Sequence, residues 1–210
     1  MKEYRSEVKK LAEKVMVVMD ENLVLTKGYI KKAFNEGDNN IINGAFFGTK
    51  VSHYPPCPHP EKVNSLRAHT DAGGVILLFQ DDQVDGLQIL KDGQWIDVLP
   101  LPNAIVINTG DHHHVTKLKC LAMGNTRMFG TVFCQNQMGI GDPLLPFYNP
   151  SLKATISPAP ELLVDIIKEK EVKLTSSINH PTFVFGNYMN VYNEQKFLPK
   201  EPRFQAVGAL

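Results

Sequence analysis

Five short β-rich runs lie between residues 46 and 109, separated by Gly, Asp and Pro. The runs are 48–54, 74–79, 86–90, 95–98 and 104–108. Asp85-Gly86 and Asp92-Gly93 are turn dipeptides between them. Short strands without helical patterns between them favour an antiparallel barrel or jelly roll over a parallel α/β sheet. We predict a mostly β fold with flanking helices, on a cupin-like double-stranded β-helix (jelly-roll) core with one open mouth.

Helical patterns flank this β-rich region. Residues 3–22 carry apolar side chains at helical spacing, and Thr26 is a candidate N-cap for a short helix through Phe34. The predicted parts of the chain are N-terminal helices at 1–40, a jelly-roll domain at 41–157, and C-terminal helices with a tail at 158–210.

Residues 158–210 contain two further helix signals. Pro158 and Glu161 suit the first turn of a helix that runs to about Val172. Thr182 is a candidate cap for a last helix, followed by a polar tail. A further strand is predicted at 128–134, between the β-rich region and these helix signals.

The composition excludes several classes of function. Lys plus Arg and Asp plus Glu both number 22, so the formal net charge is zero and electrostatic recruitment to nucleic acid or a membrane is not expected. Three irregularly spaced cysteines form neither a disulfide framework nor a zinc pattern. No stretch is long and apolar enough to span a bilayer. We expect a cytoplasmic protein that acts on a small molecule; the oligomeric state stays open.

The tripeptide His69-Thr70-Asp71 is the main candidate for chemistry. Residues two apart on an extended backbone point to the same side, so His69 and Asp71 can bind one metal ion. They would form two thirds of the 2-His-1-carboxylate triad that holds Fe(II) in oxygenases. A His-x-Asp tripeptide also arises by chance as a satisfied polar pair. The surrounding residues decide between these two interpretations.

Several segments match one enzyme family in residues and in order. They are 47–58, 66–74, 77–82, 86–88, 93–98, 147–150, 156–160 and 196–204. Together they closely resemble the plant 1-aminocyclopropane-1-carboxylate (ACC) oxidases, which belong to the non-haem iron, 2-oxoglutarate-dependent dioxygenase superfamily. The resemblance implies Fe(II) held by His69, Asp71 and a distal histidine. It also implies oxidation of an amino acid, ACC, by dioxygen to ethylene, with ascorbate as co-substrate and bicarbonate or carbon dioxide as activator.

The resemblance implies further site residues. Those implied in catalysis are Lys50, Arg67 and Arg127. Those implied in cofactor binding are Lys50, Tyr54, Arg67, Gln80, Arg127 and Arg203. The family folds the segment of Lys196, Lys200, Glu201 and Arg203 toward the mouth of the site. Phe129 stands where the family's Arg-x-Ser motif has its serine, so one hydroxyl of the implied anion site is lost.

The family's distal histidine has no counterpart in a matching strand. Weak candidates for the third ligand are His112, His113 and His114. Relative to the family, we expect a chain that is truncated at its N-terminus and altered at 110–146, through changed splicing or an imperfect gene model. Two alternatives stay open: a catalytically impaired paralogue without the distal ligand, and a 2-oxoglutarate-dependent dioxygenase with another small substrate, against which Phe129 argues mildly.

Overall fold

A computed structural model describes residues 2–36, 44–53, 58–59, 62, 66–80, 86–111, 131–133, 144–160, 182–198 and 200–208. Its helices are α1 (Lys2–Asn22), α2 (Tyr29–Phe34), α3 (Phe185–Gln195) and α4 (Lys200–Gly208). Its strands are β1 (Phe46–Val51), β2 (Leu66–His69), β3 (Val75–Leu78), β4 (Leu87–Lys91), β5 (Gln94–Asp97), β6 (Val106–Thr109), β7 (Thr131–Phe133), β8 (Leu144–Asn149), β9 (Thr155–Ile156) and β10 (Phe183–Val184).

Two four-stranded antiparallel sheets form the centre of the fold. Their strand orders are β1-β8-β3-β6 and β2-β7-β4-β5, and β9 pairs with β10 separately. Apart from the β4–β5 hairpin, strands that are neighbours in these two sheets come from distant parts of the chain, as in a jelly roll, where the chain passes between two sheets. The prediction of a mostly β, jelly-roll core with flanking helices is therefore confirmed.

Five strands, β1, β3, β4, β5 and β6, lie within three residues of the predicted runs, whereas β2, β8, β9 and β10 correspond to none of these runs. For the five matched strands, β propensity and bounding turns were sufficient signals. Asp92 and Gly93 both have positive φ, at 51° and 79°, in the tight turn that joins β4 to β5. Such angles suit Asp-Gly in a two-residue hairpin. The strand predicted at 128–134 is also found, as β7.

The N-terminal helices cover the face of the first sheet that carries Val75, Leu77 and Tyr148. All four residues of β3 are buried. Apolar side chains of α1 and α2 pack against it in one cluster, formed by Val8, Ala12, Met16, Ile30, Phe34, Val75, Leu77 and Tyr148. The predicted helix over 3–22 is confirmed, since its buried positions recur at helical spacing. Among the described residues, no helix combines the length and apolarity needed to cross a membrane.

The N-cap predicted at Thr26 is wrong. The cap position of α2 is Gly28, with a left-handed φ of 86° and no side-chain cap bond of its own. The acceptor comes from the preceding helix, because the buried Asp20 carboxylate accepts hydrogen bonds from Gly28 N at 2.8 Å and Ile30 N at 3.1 Å. A tertiary contact thus supplies the partners that a local cap would otherwise provide.

Two predictions near the C-terminus are corrected. The cap position of α3 is Val184 rather than Thr182, because the preceding residues pair with β9 as a short strand. The predicted polar tail is instead helix α4, which buries Phe204 and Val207 in a second apolar cluster. The helix predicted from about 158 to 172 lies mostly outside the described residues. The predicted domain boundaries stay predictions.

Candidate metal centre

His69 and Asp71 bring one nitrogen and one oxygen together where β2 ends. His69 Nε2 lies 3.6 Å from Asp71 Oδ1, and the two side chains are 13% and 18% exposed. Bonds from nitrogen or oxygen to a small divalent ion are about 2.1 Å long. One ion can therefore span both donors at this separation, and the two side chains lie on one side, as their two-residue spacing predicted.

The backbone holds the other ring nitrogen of His69. His69 Nδ1 lies 2.8 Å from the carbonyl oxygen of Arg67, which can only accept, so Nδ1 carries a proton. This bond leaves Nε2 as the ligand nitrogen, an arrangement found in metal-binding histidines. Burial lowers the pKa of His69, but hydrogen bonds to Asp71 and Arg67 and the Asp71 charge outweigh it, so that the pKa is raised overall.

The Asp71 carboxylate is oriented from the other sheet. Asn108 Nδ2, on β6, donates to Asp71 Oδ2 at 2.9 Å, which leaves Oδ1 facing His69. Sequence reasoning missed Asn108. The available signal was a lone amide in a predicted apolar strand, close to the Gly110-Asp111 turn. Hydrogen bonds of this kind fix ligand orientation in metal sites.

The turn after β6 packs directly on the turn that carries Asp71. Gly110 N donates to Gly74 O at 3.0 Å, and Asp111 N donates to Asp71 O at 2.8 Å. A Cβ atom at Gly110 would lie 1.8 Å from the carbonyl oxygen of Gly73. Only glycine allows this approach, so the two turns pack backbone against backbone.

Three other side chains surround the donor pair. Phe197 follows α3, and its ring centroid lies 6.4 Å from that of His69 in an edge-on arrangement. The Arg67 guanidinium lies 5.2 Å from the same Phe197 ring. Lys50, on β1, is exposed. Its charge lowers the pKa of His69, but this effect is smaller than those of burial and of the Asp71 and Arg67 contacts. The mouth therefore carries two cations and one aromatic ring beside the donor pair.

Gln80 and Arg203, two further residues predicted to bind a cofactor, are hydrogen-bonded to other parts of the protein. Gln80 Nε2 is 3.5 Å from the carbonyl oxygen of Val98, between the two sheets' loops. Arg203 is fully buried beneath the ligand turn, where Nη2 donates to Thr70 Oγ1 at 2.7 Å. Cofactor binding by either residue stays a prediction, and the contacts described for Arg203 are with the protein itself.

The remaining predicted site residues lie outside the described part of the chain. They are Tyr54, His112, His113, His114, Arg127 and Phe129. Within the described ranges, no three His, Cys, Asp or Glu side chains come together as a metal-binding group. The third ligand thus stays a prediction, with the three adjacent histidines as its candidates.

Comparisons with known proteins agree with this geometry. A model of the 2OG-Fe(II) oxygenase superfamily matches residues 45–135. Over all 210 residues, the chain is 60% identical to 1-aminocyclopropane-1-carboxylate oxidase 5 of Arabidopsis thaliana and 55% identical to a 1-aminocyclopropane-1-carboxylate oxidase of Musa acuminata. It spans 64% of the length of each of these relatives.

A solved structure shows the same fold. The crystal structure of JOX2 in complex with 2OG, Fe and JA is 29% identical, with a TM-score of 0.76 over 98% of this chain and 54% of that chain. The superfamily's Fe(II) fits the imidazole nitrogen and carboxylate oxygen that His69 and Asp71 present. Residues 45–135 thus match the 2OG-Fe(II) oxygenase superfamily, and the whole chain is homologous to ACC oxidases, of which it spans 64%.

Proposed function

We propose that this chain is an Fe(II)- and ascorbate-dependent oxidase that converts ACC and dioxygen to ethylene. The observation that carries the proposal is the 3.6 Å donor pair of His69 and Asp71, in a chain 60% identical to a protein of that name. The chain spans only 64% of that relative's length, so the relative's activity is a proposal for this chain.

His69 Nε2 and Asp71 Oδ1 would hold the iron, together with one of His112, His113 and His114. Bound iron supplies the activation of dioxygen, which amino-acid side chains do not provide. The protein orients the two donors through the Arg67 carbonyl and the Asn108 amide. With these contacts in place, Nε2 and Oδ1 lie 3.6 Å apart.

Arg67 and Lys50 are the groups that would bind anions at this site. The Arg67 guanidinium and the His69 ring both lie beside the Phe197 ring, at 5.2 Å and 6.4 Å from its centroid. A guanidinium binds a carboxylate or bicarbonate through charge-assisted hydrogen bonds. The ACC carboxylate, bicarbonate and ascorbate are all anions, so each is a candidate for Arg67 or Lys50. Family resemblance adds Arg127, Tyr54, Gln80 and Arg203 to this proposal.

The test is ethylene production by the purified chain supplied with ACC, Fe(II), ascorbate and bicarbonate. Gas chromatography should detect product from the unchanged chain and none from His69→Ala or Asp71→Asn. Gln88→Ala is the matched control, because it removes an exposed amide-to-carboxylate bond to Asp97 that does not involve the donor pair. Absence of ethylene from a chain that binds Fe(II) would favour the impaired paralogue instead.

A second candidate is oxidation of another small molecule with 2-oxoglutarate. The observation in its favour is the 29% identity and TM-score of 0.76 to JOX2, whose crystal structure holds 2OG, Fe and JA. Phe129 argues against it, since the serine hydroxyl of the family's anion motif is replaced. Release of succinate from 2-oxoglutarate, measured with and without ACC, separates the two candidates.

A further inference from the structure

Thr70 lies between the two donor residues and faces away from them. Its hydroxyl contacts two buried side chains, Asp111 and Arg203, on the side away from the donor pair. Thr70 Oγ1 donates to Asp111 Oδ2 at 2.9 Å and accepts from Arg203 Nη2 at 2.7 Å. The hydroxyl is therefore bound as donor and as acceptor.

Both partners of Thr70 belong to a buried polar cluster. Asp111 and Arg203 are fully buried, and Asp111 Oδ2 lies 3.4 Å from Arg203 Nη2. Tyr188, on α3, donates to the same oxygen at 2.6 Å. Burial, followed by the Asp111 charge, raises the pKa of Tyr188, which keeps its hydroxyl protonated as a donor.

A second helix contact reaches the backbone of Thr70. Tyr192, one turn further along α3, donates from its hydroxyl to the carbonyl oxygen of Thr70 at 2.9 Å. The Arg203 guanidinium of α4 lies 5.3 Å from the Tyr192 ring. Ala72, immediately after the donor residues, packs in the apolar cluster with Tyr188 and Phe204. Both C-terminal helices thus contact the turn from behind.

These contacts act on the two peptide groups that join His69 to Asp71. Breaking one member of a hydrogen-bonded network around a buried ion pair is costly, because the other members lose their partner in a low dielectric. Holding the hydroxyl and the carbonyl of Thr70 limits rotation of the backbone between the donors. The angle between the two donor side chains is consequently set from the helix side.

We propose that Thr70 is a positioning residue, through which the C-terminal helices set the geometry of the His69 and Asp71 donor pair. The inference rests on the proposed metal function. Coupling between two sites is reciprocal, so metal binding should in turn stabilise docking of α3 and α4. Arg203 contributes by holding the Thr70 hydroxyl through its hydrogen bond from Nη2.

The first experiment is anaerobic titration of the full chain with Fe(II), and with Co(II) for its visible spectrum. Thr70→Val should weaken binding about tenfold and change the Co(II) spectrum, because the shape is kept but the hydroxyl is lost. Thr70→Ser, which restores the hydroxyl, should bind within about twofold of the unchanged chain. Tyr192→Phe should weaken binding severalfold and provides a second variant should Thr70→Val fail to fold.

Tyr148→Phe is the matched control, since it removes a buried tyrosine bond to Glu13 on the far side of the first sheet. It should leave metal affinity unchanged. In hydrogen exchange, bound Co(II) should slow exchange over 185–208 in the unchanged chain and much less in Thr70→Val.

Folded Thr70→Val and Tyr192→Phe with unchanged affinity and spectrum would overturn the inference while leaving the proposed function intact. Equal exchange of 185–208 with and without Co(II) would also overturn it. An unchanged chain that binds neither ion would overturn the proposed function itself, and the inference with it.

Discussion

Asn108 holds Asp71 by a 2.9 Å hydrogen bond that crosses from the first sheet to the second. Asn108 lies on β6, whereas Asp71 follows β2. The donor pair is therefore oriented by both sheets at once, and its geometry depends on how they are packed. Local backbone direction brings His69 and Asp71 to one side, and Asn108 then selects which carboxylate oxygen faces His69.

Asn108→Ala should weaken divalent-metal binding about 10- to 100-fold, because Asp71 loses the donor that orients it. Anaerobic Co(II) titration measures the effect, and circular dichroism verifies the fold. Gln88→Ala, which breaks a 2.7 Å amide-to-carboxylate bond outside the site, should leave affinity unchanged. Equal affinities for the two variants would contradict the role given to Asn108.

Gly110→Ala should destabilise the fold by roughly 3 to 5 kcal/mol, a loss typical of severe steric conflict. Its Cβ would lie 1.8 Å from the carbonyl oxygen of Gly73, so the two turns must separate. Gly93→Ala is the comparison, since its Cβ meets nothing within 4 Å and only its φ of 79° is unfavourable. That variant should cost about 1 to 2 kcal/mol in urea unfolding. A smaller loss at Gly110 than at Gly93 would refute the close approach.

Phe197→Ala should expose His69 at the mouth. The Phe197 ring lies edge-on to the imidazole and beside Arg67, so its removal gives reagents access to His69. Mass spectrometry should show faster diethyl pyrocarbonate modification of His69. Leu198→Ala, at the neighbouring side chain that is 57% exposed, serves as control and should leave the rate unchanged. An unaltered rate in Phe197→Ala would show that this ring does not cover His69.

Stability should fall at alkaline pH in a way that depends on Tyr148. Burial, followed by the Glu13 charge, raises the pKa of Tyr148 to about 12 from its ordinary value of 10.0. Because the folded-state pKa is the higher one, the contribution to stability is complete below pH 10 and is lost as pH rises to about 12. Unfolding measured across this range, with tyrosinate absorbance, tests the prediction. Tyr148→Phe should show a shallower decline, and an identical decline would disprove the assignment.

Much of the fold could be predicted from local pattern. The β-rich runs and the Asp92-Gly93 turn predicted the hairpin of β4 and β5, because strand propensity and turn angles are properties of neighbouring residues. The caps expected at Thr26 and Thr182 were wrong because contacts with other elements determine where these two helices begin. Asp20, six residues before Thr26, supplies the bonds at α2, and strand pairing determines where α3 begins.

The sequence by itself determined the donor types and their side of the strand, because the two-residue alternation puts His69 and Asp71 together without reference to the rest of the chain. Only the tertiary structure decided what orients them. Asn108 is 37 residues from Asp71, and Arg203 is 133 residues from Thr70. Such partners have no fixed spacing, since they meet only when the two sheets and the C-terminal helices pack against one turn.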